Sequence, residues 1–224
     1  MDNHKKVIFK KRIEKVTSAL MKNNMAAYYV ETKAELLPLV SSLLKPGNTI
    51  SSGGSMTLEE TGVMELIKTG DYVFSDRNLP DLSVAEKAEA NRKAYTADAY
   101  FASVNAVTEN GELYLVDGMS NRVSAVLYGP QSVILIVGVN KIVRNLDEAV
   151  NRVKKIAAPA NCVRLGIQAP CVSTGECVSM HGNNSEITAG CKSEQRICSN
   201  FVILTYQVVP ERIKVILVGE DLGY

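Results

Sequence analysis

The fold class of this sequence is decided by the stretch Thr49-Ile50-Ser51-Ser52-Gly53-Gly54-Ser55-Met56-Thr57-Leu58-Glu59-Glu60. Its first three residues have the composition of a short strand. Its last four, Thr57-Leu58-Glu59-Glu60, have the spacing of a capping box that opens a helix. Open α/β sheets bind ligands where a strand passes through such a turn into a helix. The stretch therefore predicts both an α/β architecture and a place for a ligand.

Strand and helix patterns alternate on both sides of this stretch, which favours an α/β layer architecture. The β-branched run Ser132–Val139 predicts a buried central strand. Asn110-Gly111, between the apolar segments Ala99–Thr108 and Glu112–Val116, predicts a hairpin, and Val163–Ile167 predicts a further short strand. No linker or repeat interrupts the pattern. We expect a single α/β domain over residues 1–224, with a helical lead-in at 1–45 and a cysteine-rich loop insertion at 170–199.

Composition excludes several classes of protein. The 25 basic residues nearly balance the 24 acidic ones, so we expect neither nucleic acid nor membrane as a partner. No apolar run approaches the roughly 18 residues that span a bilayer, and the first residues lack the apolar region of a secretion signal. We expect a cytoplasmic protein. Two histidines in 224 residues argue against a Ser–His–Asp triad.

The glycine-rich turn is the first candidate site. Gly53 and Gly54 permit close approach of a backbone to a ligand, and Ser55 and Thr57 add hydroxyl groups that can donate to an anion. Arg122 is a candidate for binding a carboxylate or phosphate. The alternative is a tight turn with a capped helix and a surface arginine. The spacing matches neither a P-loop nor a dinucleotide-binding motif, so no nucleotide is predicted.

Glu109 is a candidate catalytic residue. A glutamate at a strand end acts as nucleophile or base if it faces the glycine-rich turn. The alternative is an exposed neighbour of the Asn110-Gly111 hairpin.

Four cysteines fall within 28 positions and form a candidate metal site: Cys171, Cys177, Cys191 and Cys198. Four thiolates suit zinc or an iron–sulfur cluster. Their spacings exceed the usual Cys-x2-Cys, and the alternative is a set of reduced structural cysteines. His181 lies between the two pairs as a substitute ligand, and Cys162 is expected to be structural.

Three blocks carry a family resemblance. They are Ser52-Gly-Gly-Ser-Met-Thr-Leu-Glu-Glu-Thr-Gly62, the block from Ala97-Asp-Ala through Asn121-Arg-Val-Ser-Ala to Val143, and the block from Asn161-Cys-Val-Arg-Leu-Gly to Arg196-Ile-Cys-Ser199. With the ending at Arg212–Gly223 they resemble the LUD-domain proteins, a family that includes lactate-utilisation proteins, over most of the chain from about residue 45. The third block is similar to a cysteine-bearing subgroup, in which the middle cysteines lie closer together. Here Val178–Gly190 separates them.

The resemblance implies a three-layer open sheet similar to the glucosamine-phosphate isomerase, ribose-phosphate isomerase and CoA-transferase group. It implies a small anionic metabolite over the glycine-rich turn, with Arg122 as an anion contact. It also implies a role in lactate or organic-acid utilisation beside iron–sulfur oxidoreductase subunits. Two alternatives stay open: an isomerase or CoA-transferase-like enzyme that uses Glu109, and a metal- or redox-sensing module. The sequence leaves open whether the protein is an enzyme and whether it forms a homodimer.

Overall fold

A computed structural model describes residues 3–181 and 186–224 of the chain. Its helices are α1 (Asn3–Lys22), α2 (Lys33–Ser42), α3 (Met56–Glu60), α4 (Val63–Thr69), α5 (Val84–Lys93), α6 (Asn121–Leu127), α7 (Leu146–Arg152), α8 (Ala158–Arg164) and α9 (Pro170–Thr174). Its strands are β1 (Ala26–Val30), β2 (Thr49–Ser52), β3 (Val73–Ser75), β4 (Ala99–Ala102), β5 (Ala106–Thr108), β6 (Leu113–Asp117), β7 (Ser132–Gly138), β8 (Ile142–Val143), β9 (Asn200–Leu204) and β10 (Ile213–Val218). Among the described residues, no helix is both long and apolar enough to cross a membrane.

The larger sheet has six parallel strands in the order β1-β10-β7-β4-β2-β3. The strand β7 lies inside it, and its residues from Val133 onward are buried, which confirms the predicted central strand. Its side chains alternate between two faces, as the pleat of a strand requires. Val133 and Leu135 pack in the same core as Ile13 of α1, whereas Ile134 packs in the core of Leu36 of α2. The predicted three-layer α/β fold is confirmed.

A smaller sheet, in the order β8-β5-β6-β9, packs beside the first. The strands β5 and β6 pair antiparallel around Asn110-Gly111, which confirms the hairpin. The apolar segment Ala99–Thr108, expected as one strand, is divided at residues 103–105. Its first half joins the large sheet and its second half joins the small one. One continuous apolar pattern thus supplies strands to two sheets.

The predicted strand Val163–Ile167 is wrong. Val163 and Arg164 end α8, which continues α7 through a π-helical turn at Val153–Ala157. The helical reading is favoured because buried positions recur at helical spacing through the segment, at Ala149, Val153, Ala157 and Cys162.

The connections of the large sheet reverse direction between β2 and β4. From β2 the chain passes outward to the edge strand β3, whereas from β4 it passes toward β7 and the other edge. Such a reversal opens a crevice at the carboxyl ends of the two strands. The crevice is bordered by residues that follow these strands, namely Gly54, Ser55 and residues 103–105, and by Lys141 at the end of the turn after β7.

Candidate functional site

A cavity of about 430 Å³ lies at this crevice. Its lining contains four cationic side chains, from Arg77, Arg122, Lys141 and Arg164, and the carboxylate of Asp117. Cations therefore outnumber carboxylates in the described lining. A cleft with this imbalance concentrates anions, because its low-dielectric walls focus the field of the charges.

The two glycines of the predicted turn make room for arginine side chains. A Cβ atom on Gly53 would lie 2.8 Å from Cγ of Arg122, and one on Gly54 would lie 3.2 Å from Nη2 of Arg77. The Gly53 N–H donates to the Phe101 carbonyl oxygen at 2.8 Å, which extends the pairing of β2 with β4. Gly54 lines the cavity, whereas Gly53 lies behind it against Arg122.

The hydroxyl groups of the turn have different surroundings. Ser55 lines the cavity and caps α3, because its Oγ accepts the Leu58 N–H at 3.4 Å. The predicted cap at Thr57 is therefore wrong by two residues: the chain enters the helix at Met56. Thr57 is fully buried, and its Oγ1 accepts a hydrogen bond from Nζ of Lys141 at 2.8 Å.

Arg122 joins the loops that border the cavity. Its guanidinium donates to the carbonyl oxygens of Ser103 at 2.9 Å and Val116 at 2.6 Å, and to Oδ1 of Asn105 at 3.4 Å. Its Nε lies 3.5 Å from Oδ2 of Asp117. Burial lowers the pKa of Arg122, and the carboxylate of Asp117 opposes that shift. The protein itself uses most of the donors of this arginine, so its main contribution is to hold the wall in place.

Arg77 and Arg164 have fewer protein partners. Nη1 of Arg77 donates to Oδ1 of Asn91 at 3.1 Å, and the exposed Arg164 donates to Oδ1 of Asn161. Each guanidinium carries five N–H groups in a fixed fork, so both retain donors that can face a ligand. Arg77 stands in no motif, and Arg164 lies in the block Asn161-Cys-Val-Arg-Leu-Gly, whose pattern does not single it out as a ligand residue.

Lys141 was not predicted as a site residue. Only 2% of its surface is exposed, and its Nζ donates to Thr57 Oγ1 and, at 3.0 Å, to Ser103 Oγ. Burial lowers the pKa of Lys141 to about 7; Arg152 and Arg122 add to the effect, and Glu60 opposes it. A signal was present in the sequence: the lysine stands in the apolar segment Gly138-Val-Asn-Lys-Ile-Val143, directly after the predicted central strand.

Glu109 lies outside the cavity lining. Its carboxylate pairs with Nζ of Lys15 at 2.8 Å and Nε of Arg12 at 2.9 Å, and so fastens the hairpin to α1. The hydrogen bond from Lys15 lowers the pKa of Glu109; its partial burial opposes the shift and Arg12 adds to it. The structure does not bring this glutamate to the glycine-rich turn.

The cysteines share one region of the molecule. Sγ of Cys171 lies 3.8 Å from Sγ of Cys162, and burial raises the pKa of Cys162 to about 12. Arg196 donates to the carbonyl oxygens of Cys191 at 3.0 Å and Cys198 at 2.8 Å, which orders the end of the segment. Sγ of Cys177 lies 3.4 Å from the hydroxyl of the neighbouring Ser179.

The thiols do not form a closed metal site in this arrangement. Within residues 3–181 and 186–224, no three histidine, cysteine, aspartate or glutamate side chains converge closely enough to hold an ion. Nε2 of His181 lies 3.5 Å from a carboxylate oxygen of Glu176. Residues 182–185, in the polar segment between Cys177 and Cys191, lie outside the described residues.

Comparisons with known proteins agree with this architecture. The chain is similar to the crystal structure of a DUF162 family protein from Deinococcus radiodurans, with a TM-score of 0.53 and 17% identity, over 94% of this chain and 98% of that one. At this identity the similarity shows the fold. No curated protein matches the chain. The sequence model of the LUD domain matches residues 13–218, and the chain therefore belongs to the LUD-domain family.

Proposed function

We propose that this LUD-domain protein binds a small organic anion in the cavity at the carboxyl ends of β2 and β4, as part of lactate or related organic-acid utilisation. The observation that carries the proposal is the cluster of cationic side chains around a cavity at the reversal point of the sheet. The cavity volume, about 430 Å³, lies in the range of small-molecule sites.

Arg77 is the main anion contact in this proposal. Its guanidinium is half-buried beside Gly54 and donates a hydrogen bond to the side chain of Asn91, which leaves its other N–H groups for a ligand. A carboxylate accepts two parallel hydrogen bonds from such a fork. Ser55 and Arg164 supply further donors in the cavity lining, and Arg122 holds the loops of the wall through its hydrogen bonds to Ser103 and Val116. The protein then acts beside iron–sulfur oxidoreductase subunits, as its family resemblance implies.

Isothermal titration calorimetry with lactate, pyruvate and inorganic phosphate tests the binding. We expect at least one of these anions to bind saturably, and Arg77→Gln to weaken it by about tenfold or more, since one charge-assisted contact contributes about 1.5–3 kcal/mol. The matched control is Arg92→Gln, which removes an exposed arginine of α5 that pairs with Glu89. Absence of saturable binding to both lactate and pyruvate, or equal effects of the two variants, would refute the proposal.

A second candidate function rests on the grouping of the thiols. We propose that Cys171, Cys177, Cys191 and Cys198 hold zinc or an iron–sulfur cluster. Metal and sulfide analysis of anaerobically purified protein, with a visible spectrum, tests this. Protein that contains neither metal nor sulfide under those conditions would leave the four residues as reduced structural cysteines.

A further inference from the structure

Lys141 brings a buried amine to the wall of the cavity. It ends the turn after β7, and the strands β7, β4 and β2 are neighbours in the sheet. Because parallel strands end at one edge, this turn faces the residues that follow β4 and β2. Those residues include Ser103 and Thr57, the two hydrogen-bond partners of the amine.

Both partners accept hydrogen bonds from Lys141. The Thr57 hydroxyl donates its own hydrogen to the Leu222 carbonyl oxygen at 3.3 Å, and the Ser103 hydroxyl donates to the Val104 carbonyl oxygen at 3.4 Å. Because each hydroxyl hydrogen is used in this way, each hydroxyl oxygen accepts a hydrogen bond from Nζ of Lys141. A neutral amine has two N–H donors and one lone pair, so the two hydroxyls satisfy both donors. The lone pair remains available for reaction.

The charges around the amine favour its neutral form. Arg152 and Arg122 are the cations that act on it, and Glu60 is the carboxylate that acts against them. No carboxylate of the described residues forms an ion pair with it; its polar contacts are the two hydroxyls. Together with burial, this brings the pKa of Lys141 to about 7, so a substantial fraction of the amine is unprotonated near neutral pH. Desolvation and neighbouring cations are the two means by which proteins activate a lysine as a nucleophile.

The C-terminal segment covers the hydrogen-bonded pair of Lys141 and Thr57. A Cβ atom on Gly223, where φ is +54°, would lie 2.6 Å from Oγ1 of Thr57. Asn140 holds this segment by donating to the Gly223 carbonyl oxygen at 2.9 Å and accepting the Leu222 N–H at 3.1 Å. The amine is therefore enclosed on the side of Thr57, whereas Lys141 and its other hydrogen-bond partner, Ser103, both line the cavity.

We propose that Lys141 is a nucleophile that forms an imine with the carbonyl group of a 2-oxo acid bound in the cavity. The nitrogen lone pair adds to the carbonyl carbon to form a C–N bond. Both amine protons leave with the carbonyl oxygen as water, and a C=N bond replaces C=O. The step needs no oxidant or reductant. The inference rests on the proposed function, since the arginines hold the carboxylate of the same ligand.

Reductive trapping tests the imine directly. The full-length protein is incubated with pyruvate and cyanoborohydride, and its intact mass and peptides are measured. We expect one adduct with the mass of pyruvate less one oxygen atom, located on Lys141. Lactate, which lacks the carbonyl group, should give none. In Lys141→Met the adduct should fall to less than about a tenth of the wild-type amount.

The matched control is Lys154→Met, which removes another buried lysine whose Nζ donates to the Glu186 carbonyl oxygen and which lies outside the cavity lining. This variant should keep the adduct. If Lys141→Met does not fold, Lys141→Arg and peptide mapping of the wild type serve instead.

Calorimetry separates the imine proposal from the proposed function. Pyruvate that binds without being trapped on Lys141 overturns the imine alone, whereas absence of binding to either acid overturns the proposed function with it.

Discussion

Replacement of Lys141 by methionine should change how the stability of the protein depends on pH. The pKa of this lysine is about 7 in the folded chain, against an ordinary value of 10.5. Between these two values the unfolded chain binds a proton that the folded chain has released. Stability rises with pH wherever the unfolded state binds more protons. The wild type should therefore gain stability as pH rises above about 7, and the variant should lack this gain.

The size of the effect follows from one proton. A single group changes the free energy of unfolding by at most about 1.4 kcal/mol per pH unit. Between about pH 7 and pH 9 the wild type should gain about 2 kcal/mol relative to Lys141→Met. Loss of the hydrogen bonds to Thr57 and Ser103 adds an offset of about 1 kcal/mol each. That offset is constant with pH, so the two proteins are compared by how steeply their free energies of unfolding change with pH.

Urea unfolding at intervals between about pH 6 and pH 9 measures the slope, with m values compared to verify that the transition stays two-state. Lys87→Met, which removes an exposed lysine of α5, is the control and should follow the wild-type profile. Parallel profiles for wild type and Lys141→Met would show that the buried amine keeps its proton through this range, and would refute the reasoning.

Three other substitutions test the packing around the site. Gly53→Ala places a Cβ atom 2.8 Å from Cγ of Arg122 and should cost about 1–3 kcal/mol, seen as a lower urea midpoint; an unchanged midpoint would contradict the contact. Arg122→Met removes the cation beside the half-buried Asp117 carboxylate and the hydrogen bonds to the Ser103 and Val116 carbonyl oxygens, and should cost about 3–5 kcal/mol; a loss under about 1 kcal/mol in thermal unfolding would argue against a structural role. Glu109→Gln removes the ion pairs with Lys15 and Arg12 and should cost at most about 1 kcal/mol for each at neutral pH, with anion affinity unchanged by calorimetry. The pKa of Glu109 is lowered in the folded state, so the stability lost in Glu109→Gln should be present above the ordinary value of 4.5 and should vanish as pH falls below it. A loss of anion affinity in this variant would instead favour a role for Glu109 at the site.

Several elements could be predicted because their signals are local. The run Ser132–Val139 is apolar at nearly every position, as a strand buried on both faces must be. The hairpin forms at Asn110-Gly111 because its turn needs a residue of positive φ, and Gly111, with φ of 79°, supplies it without strain. The helix cap was misplaced because Thr57 fits the capping pattern as well as Ser55 does. In the folded chain the Thr57 hydroxyl accepts a hydrogen bond from Lys141, a residue far away in the sequence, and Ser55 caps the helix.

The candidate site was only partly predictable. Gly54, Ser55 and Arg122 were predicted as ligand residues and line one cavity. Arg77 and Lys141 line it as well. Arg77 stands in no motif, and the apolar neighbours of Lys141 indicate burial without indicating a contact with the cavity. Glu109 resembled a catalytic residue by its position at a strand end. Its pairing with α1, about a hundred residues earlier in the chain, could not be read from local sequence.

The sequence by itself determined the alternation of strands and helices and the glycine-rich turn, because these depend on side-chain size, branching and backbone freedom within a few residues. It also determined the family, because the resemblance is carried by residues that can be read directly from the chain. The tertiary structure alone decided which strands are neighbours and which side chains meet where they end. Thr57, Ser103 and Lys141 belong to three separate segments, and only the parallel order of β2, β4 and β7 brings them together. The lowered pKa of Lys141 arises there as well, since burial and neighbouring charge belong to the folded chain.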